Sequence, residues 1–593
     1  PKANKIYEYF LASILSGPQT QERNFLGNLT NLGMNQVLNR PIEMAINSFV
    51  KDPKAAQLGE WKYIFKNMGP RLQQAWVNAV QSFRAERPIF NGRIVEGHTD
   101  ITGPAIQGTK GKIIRTPLRM LTAVDQFMKT IVGTGEVGAR AFREGKAKGL
   151  KPNSPEMEAY VKEQMDNPDS QAWQDAYAYA KGVTFQDDAG PITKSLINLR
   201  ESIKLPGTDI HPLRYVVLGP FLRIAGKLEG ELWKYTPFGS LPLAAKGLAG
   251  KYKGNAPAAI QDVAKQVVAW TAFAALWSAT GSDKDEPFIT GSASKEAKDM
   301  AYRTAPPMSI RLPGYGWVSY KHLQPISGAI TTMIDALEGI RGIEKGQSFN
   351  DAVSGFVQKI KGRVQDQTFL QSLGDALDAL DSTDRATAFL TNFGASWVPN
   401  LVRQPLYQGQ STVKESKQLA DTGPFDQLAR RALPGVFSAL PRVTPWGEEV
   451  TKPGTALERM LVPFTRYSDD VHPADAVIAK YNLQNPNSPY YVSVPSPTIK
   501  VDDKFQKMTE KEYYTYLRLS GLLADKAARN IQRVRSGVAD AHTIDQIQKA
   551  RSRALDQAGN QMKAALHYKA KGQTDRYDAI LQRAEDAISR MEK

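Results

Sequence analysis

The residue patterns in this chain with the most specific chemistry are glycine runs. Gly133, Gly135 and Gly138 spell G-x-G-x-x-G, the spacing that lets backbone amides approach a dinucleotide pyrophosphate when a strand precedes it and a helix follows. Here Val124 to Val132 has the three-and-four spacing of a helix, so a loop or kink between two helices is expected instead. Gly103 and Gly108 open a near match to a phosphate loop, but Thr109 precedes Lys110. The hydroxyl that would hold magnesium is out of order, and that reading is rejected.

Acid–base and metal chemistry find no better footing. The six histidines, His98, His211, His322, His472, His542 and His567, stand apart from one another and from carboxylates at ligand spacing. Each reads as a surface or satisfied core histidine, and neither a metal nor another cofactor is expected. With no Cys in the chain, thiol catalysis, disulfides, iron–sulfur clusters and thiolate zinc sites are excluded, while the redox compartment stays open. There is no G-x-S-x-G elbow. Paired carboxylates such as Asp375 and Asp378 fit a solvated helix face better than an acid–base dyad. No catalytic residue is expected, and the segment is read as non-enzymatic.

Two clusters remain. Lys110, Lys112, Arg115 and Arg119 fall within ten positions, around a helix that opens at Pro117. Nucleic-acid phosphate contact is the functional reading, and a basic helix start paired with acids such as Asp125 is the structural one. The most apolar stretch is Val267 to Thr280, which carries Trp270, Phe273 and Trp277 inside an uncharged run from Gln266 to Ser282. It is shorter than the roughly 20 residues of a spanning helix. A buried bundle helix and a helix that enters a membrane after rearrangement are the two readings, with the three aromatics as candidates for membrane or subunit contact.

The elements that must carry these residues are mostly helices. Apolar residues at three-and-four spacing predict helices over Leu72–Phe83, Asp175–Lys181, Phe369–Leu380 and Glu512–Val534. Gly316 to Tyr320, an aromatic and β-branched run after Pro313 and Gly314, is the best strand candidate. The expected fold is mainly α: elongated multi-helix bundles joined by Pro/Gly-rich extended connectors, with at most a short β-hairpin. Punctuation divides the chain into five segments. A helical domain over 1–150 ends near Gly145, Gly149 and Pro152, and a second over 151–280 ends in the apolar helix. A connector with a short strand and helices spans 281–395, a Pro-rich wrapping segment spans 396–500, and a charged helical domain spans 501–593. No fixed-period repeat is present.

Length and composition bound the rest. At 593 residues the chain has room for about four domains. Its 41% hydrophobic and 23% charged residues are those of a folded protein, and 46 Gly with 36 Pro exclude collagen-like and low-complexity classes. The net charge of +16 is spread along the chain without a Lys/Arg block, so general affinity for a polyanion fits better than sequence readout. A mean hydropathy of −0.40 makes any membrane contact conditional. The first residue is Pro1 with no Met before it, which reads as a processed terminus or part of a longer polypeptide, and no signal-peptide order follows it.

Arg115-Thr-Pro-Leu-Arg-Met-Leu-Thr-Ala-Val-Asp-Gln-Phe-Met-Lys129, with Glu136 and Ala139 to Gly145 after it, resembles a pattern in the large polyvalent proteins of tailed bacteriophages. Pro220-Phe-Leu-Arg223 and Pro463-Phe-Thr-Arg466 resemble that family's Pro-Phe-x-Arg turns. Gly316-Trp-Val-Ser-Tyr320 with Leu323 and Pro325 resembles its short aromatic strand, and Pro434 to Gly447 its Pro-rich approach to C-terminal helices. The resemblance implies an internal virion, or ejection, protein: packaged beside the portal, released with the genome, and part of a conduit through the host cell envelope. It implies a homo-oligomeric ring or tube with portal or tail proteins and non-specifically held phage DNA as partners. Lys110, Lys112, Arg115 and Arg119 would then contact DNA or portal, and Trp270, Phe273 and Trp277 a membrane or a second subunit. Relatives carry lytic transglycosylase domains elsewhere in long chains, and no such catalytic Glu motif stands here. The alternatives are a non-catalytic scaffold region of a larger polyvalent enzyme and a co-injected DNA-binding protein.

Overall fold

The computed structural model describes residues 2–69, 71–90, 93–94, 104–184, 230–241, 255–280, 287–294, 296–323, 326–366, 394–415, 419–437 and 439–593, with positions 198, 202, 391 and 417. The fold is mainly α, and the named strands among the described residues form short antiparallel sheets. The chain packs as two compact units interleaved in sequence. Residues 1–279, 321–334 and 365–374 make the first, and residues 280–320, 335–364 and 375–593 the second.

The first unit contains α1 (Lys2–Leu15), α2 (Pro18–Gly33), α3 (Arg40–Val50), α4 (Glu60–Met68), α5 (Leu72–Ala85), strands β1 (Ile89–Phe90) and β2 (Arg93–Ile94), then α6 (Gly108–Ile114), α7 (Thr116–Ala147), α8 (Pro155–Asp166), α9 (Gln171–Val183) and α10 (Ala256–Thr280), whose last residue is counted with the second unit. A π-helical stretch, Met34–Asn39, joins α2 to α3. Helix α7 is the axis. Pro117 sits in its first turn, where a missing amide costs nothing, and residues 128–139 are buried on every side. One cluster against it joins Tyr63, Val137, Phe142, Met157, Val161, Met165 and Trp173. Another joins Leu32, Ala75, Met128, Ile131, Val132, Ala180 and Val183. Of the punctuating residues, Gly145 lies in the last turns of α7 while Gly149 and Pro152 fall in the turn to α8, and Ser154 caps α8 by accepting the Met157 amide at 3.2 Å.

The second unit holds α11 (Lys298–Thr304), β3 (Ser309–Leu312), β4 (Gly316–Ser319) and the later part of α12 (Ile326–Glu344), whose residues from Asp335 onward belong to it. It continues with α13 (Phe349–Asp366), α14 (Asn400–Gly409), α15 (Pro424–Ala432), α16 (Ala456–Leu461), β5 (Arg466–Tyr467), α17 (Pro473–Gln484), β6 (Thr498–Val501) and β7 (Lys504–Lys507). Helices α18 (Glu510–Asn530), α19 (Gln532–Arg535), α20 (Ala541–Ala570) and α21 (Thr574–Glu592) complete the chain. The predicted aromatic strand is β4, antiparallel between β3 and β5 with Arg311 opposite Trp317 and Trp317 opposite Tyr467. Within the Pro-rich stretch, extended backbone pairs with itself: Val413 N–H donates to Val450 O, Arg442 N–H to Val413 O and Val450 N–H to Arg442 O, each at 2.8 Å. Thr509 and Glu512 cap α18 reciprocally, and Tyr513, Leu517, Met562, Leu566, Leu581 and Ile588 fill the space between α18, α20 and α21. The turn at Trp446-Gly447 lies on α18, where a Cβ on Gly521 would stand 2.1 Å from the Gly447 nitrogen. Only glycine fits there.

The G-x-G-x-x-G glycines correct the expectation of a loop or kink. Gly133, Gly135 and Gly138 lie inside the unbroken α7 and are buried. Packing of other helices around α7 overrides their low helix propensity. The predicted helix over Phe369–Leu380, the pair Asp375 and Asp378, and Pro220 to Arg223 lie outside the described residues, as do His98, His211 and Pro325.

Candidate functional site

The basic cluster separates into two pairs. Lys110 and Lys112 are exposed on α6. Arg115 is buried, its Nη1 2.7 Å from Glu8 Oε1 and its Nε 2.6 Å from Glu86 Oε2, and it also donates to Ile106 O at 2.6 Å. Burial opposes its charge, but the hydrogen bonds it donates to Glu86 and Glu8 outweigh that and hold the guanidinium above its ordinary value. Arg119 lies over the Phe83 ring at 4.0 Å and donates to Phe83 O at 2.8 Å. Asp125, expected as a partner of this cluster, accepts from Asn24 at 3.2 Å and Asn28 at 3.3 Å. Arg115 and Arg119 therefore tie α1 and α5 to the start of α7, and the two lysines are the pair left to reach an outside phosphate.

A second charged constellation escaped sequence reasoning. Arg40, Glu43, Glu60, Glu136 and Arg143 are all buried where α3, α4 and α7 meet. Arg40 Nε is 2.7 Å from Glu60 Oε1, Arg143 Nε is 2.7 Å from Glu60 Oε2, and Arg40 also pairs with Glu136. Arg140 Nε adds a contact to Glu136 at 3.0 Å and its Nη1 reaches Asp175 at 3.1 Å. Burial raises the Glu136 carboxyl, but Arg40, Arg143 and Arg140 overcome it and leave it below its ordinary value. Glu43 is pushed up by burial despite Arg40. The acids and bases offset one another, so the network is a tie between helices. Glu136 and Arg143 both act here as links between helices of the first unit.

The aromatic cluster is exposed. On α10, Trp270 is 52% and Trp277 44% exposed, with Val267 beside them at 42%. Phe273 bridges the indoles, edge-on to Trp270 at 6.0 Å and tilted to Trp277 at 6.4 Å. The buried positions of the same helix, Ile260, Ala264 and Ala269, precede Trp270, and Thr271, Ala274, Ala275 and Ser278 are exposed beside the aromatics. No helix among the described residues is long and apolar enough to cross a membrane.

The described histidines are engaged individually. His322 is pushed down to about 2 by burial, with Arg23 and Lys321 adding to the effect, and stays neutral. His472 lies against Trp446 and caps α17, accepting the Ala474 amide at 3.2 Å. His542 contacts Gln546 at 3.1 Å, and His567 meets Asp502 at 2.5 Å. Among the described residues no group of three or more His, Asp or Glu is placed to hold a metal ion. Pro463 to Arg466 leads into β5, where the Arg466 guanidinium covers the Tyr315 ring at 3.9 Å and donates to Tyr315 O at 2.7 Å. Asp335 of α12 is another buried acid that spacing could not single out. It accepts the Ser292 amide at 2.8 Å and the Ser292 hydroxyl, and burial pushes it up to about 6.

The chain matches no protein-family model, no curated protein and no solved structure. Of the residues singled out in the sequence, two exposed lysines on α6 and an exposed aromatic ridge on α10 are open to an outside partner.

Proposed function

We propose that this chain is the helical, multi-copy body of a phage internal virion protein. It is packaged beside the portal, leaves with the genome and helps form a conduit through the host cell envelope. The observation that carries the reading is the ridge of Val267, Trp270, Phe273 and Trp277 on α10, whose indoles are about half exposed. Large apolar side chains in a continuous row are costly in water and are relieved by a copy of the same chain or by an envelope surface. The absence of cysteine removes any covalent cross-link that would oppose passage through a narrow tail. The net charge of +16 and the exposed Lys110 and Lys112 suit residence beside packaged DNA. No catalytic role is assigned to this segment.

The test is a phage in which synthesis of this chain is blocked. Particles should assemble and fill with DNA yet fail to deliver it, measured as adsorbed particles that release no genome into cells. Normal delivery by particles shown to lack the chain would overturn the proposal.

A further inference from the structure

The hairpin of β6 and β7 presents a free main-chain edge beside an exposed aromatic ring. Its turn is Asp502-Asp503, both left-handed at φ 45° and 63°, the two-residue geometry whose twist suits a tight hairpin. Non-glycine residues are strained there. The turn is anchored by two contacts, Asp503 to Lys500 at 2.9 Å and Asp502 to His567 of α20 at 2.5 Å. Inward, Val501 and Ile499 join the core between α18 and α20.

Register fixes what faces outward. Val501 pairs with Lys504, Lys500 with Phe505, Ile499 with Gln506 and Thr498 with Lys507, and the Met508 amide donates to Pro497 O at 2.9 Å. Hydrogen-bonded pairs alternate along an antiparallel ladder, so 497/508, 499/506 and 501/504 are the bonded ones. Phe505 and Lys507 consequently turn their N–H and C=O groups away from β6. None of these four groups bonds to another described residue. The Phe505 side chain, 78% exposed, shares a face with Lys500 and Lys507.

We propose that the outer edge of β7 is a strand-addition site for an extended peptide segment that alternates acidic and apolar residues. The free N–H and C=O groups of Phe505 and Lys507 would extend the ladder by one strand, the Phe505 ring would receive an apolar side chain on its own face, and the exposed Lys504, on the opposite face, would meet a carboxylate. A second copy of β7 is a poor occupant, because edge-to-edge pairing would gather Lys504 and Lys507 of both copies on one short ladder.

The experiment titrates the full chain against a fluorescein-labelled Glu-Val-Glu-Val-Glu-Val peptide, read by anisotropy. Binding is expected below about 1 mM, with no binding by the Lys-Val counterpart. Lys507→Pro removes an edge amide from a position outside the ladder, and it should weaken binding about tenfold or more. The same peptide methylated on alternate backbone nitrogens should lose binding to the unaltered chain, a result independent of how any variant folds. Three results would overturn the proposal: no binding up to about 1 mM, equal binding of the methylated peptide, or an oligothymidylate bound through Phe505 while the acidic peptide is ignored.

Discussion

Glu60 of α4 holds two arginines at once: its Oε1 lies 2.7 Å from Arg40 Nε and its Oε2 2.7 Å from Arg143 Nε. The carboxylate is fully buried. Removing it leaves two buried guanidinium groups sharing Glu136 as their remaining close carboxylate, whereas replacing the whole set with apolar side chains removes the charge altogether. Glu60→Gln should therefore cost about 3–5 kcal/mol of stability in urea unfolding, and a joint apolar replacement of Arg40, Glu60, Glu136 and Arg143 should cost less than that. A single variant as stable as the parent would show that the network is not what fastens α3 and α4 to α7.

The split of the basic cluster predicts two distinct phenotypes. Lys110→Glu with Lys112→Glu should leave the melting temperature unchanged and weaken duplex DNA binding about tenfold at about 50 mM salt. Arg115→Glu should instead unfold the start of α7, because it sets a third carboxylate against Glu8 and Glu86. Circular dichroism and filter binding on the same preparations separate the outcomes, and unchanged DNA binding in the double variant would remove the lysines from that role.

Asp335 gives a pH dependence with a definite sign. Burial lifts its carboxyl from 3.8 to about 6, so the folded chain holds a proton that the unfolded chain has already released. This group's contribution is fully present below about pH 4 and is lost as pH rises through about 6, amounting to up to about 3 kcal/mol. Asp335→Asn should flatten that part of the stability profile, measured as the difference in urea midpoint between pH 4.5 and pH 7. A variant with the parent's slope would contradict the assignment.

The imidazole of His472 is stacked on Trp446 with centroids 4.4 Å apart and planes 9° from parallel. Its Nε2 meets Asp525 at 2.6 Å while its Nδ1 accepts the Ala474 amide. Both nitrogens are committed, which fits a structural role. His472→Ala should cost about 2–3 kcal/mol through the lost cap and stack. Gly521→Ala, whose methyl meets the Gly447 backbone, should cost about as much or more. Either variant matching the parent in thermal unfolding would show that the Trp446 turn is not seated on α18 as described.

What the sequence made legible follows from range. Helices α5, α9 and α18 and strand β4 carry their own periodicity, and Pro117 marks the start of α7 from within. The glycines at 133, 135 and 138 were misread because their local preference is a loop, and only burial of α7 on all sides overrides it. The partners of Arg115 were invisible because Glu8 and Glu86 lie 107 and 29 residues away in the chain. The β6–β7 hairpin was missed for a different reason. Its strands are four residues long and its turn uses Asp-Asp in place of a glycine pair. The exposed aromatic row on α10 was legible as a cluster, but its exposure depends on which helix face the rest of the unit covers.

The central claim, that the chain travels with the genome, is tested most directly by quantitative mass spectrometry of intact phage particles and of particles emptied of DNA. The account predicts many copies of this chain in full particles and their loss on emptying. Retention of those copies in emptied shells, or absence from full particles, would contradict it.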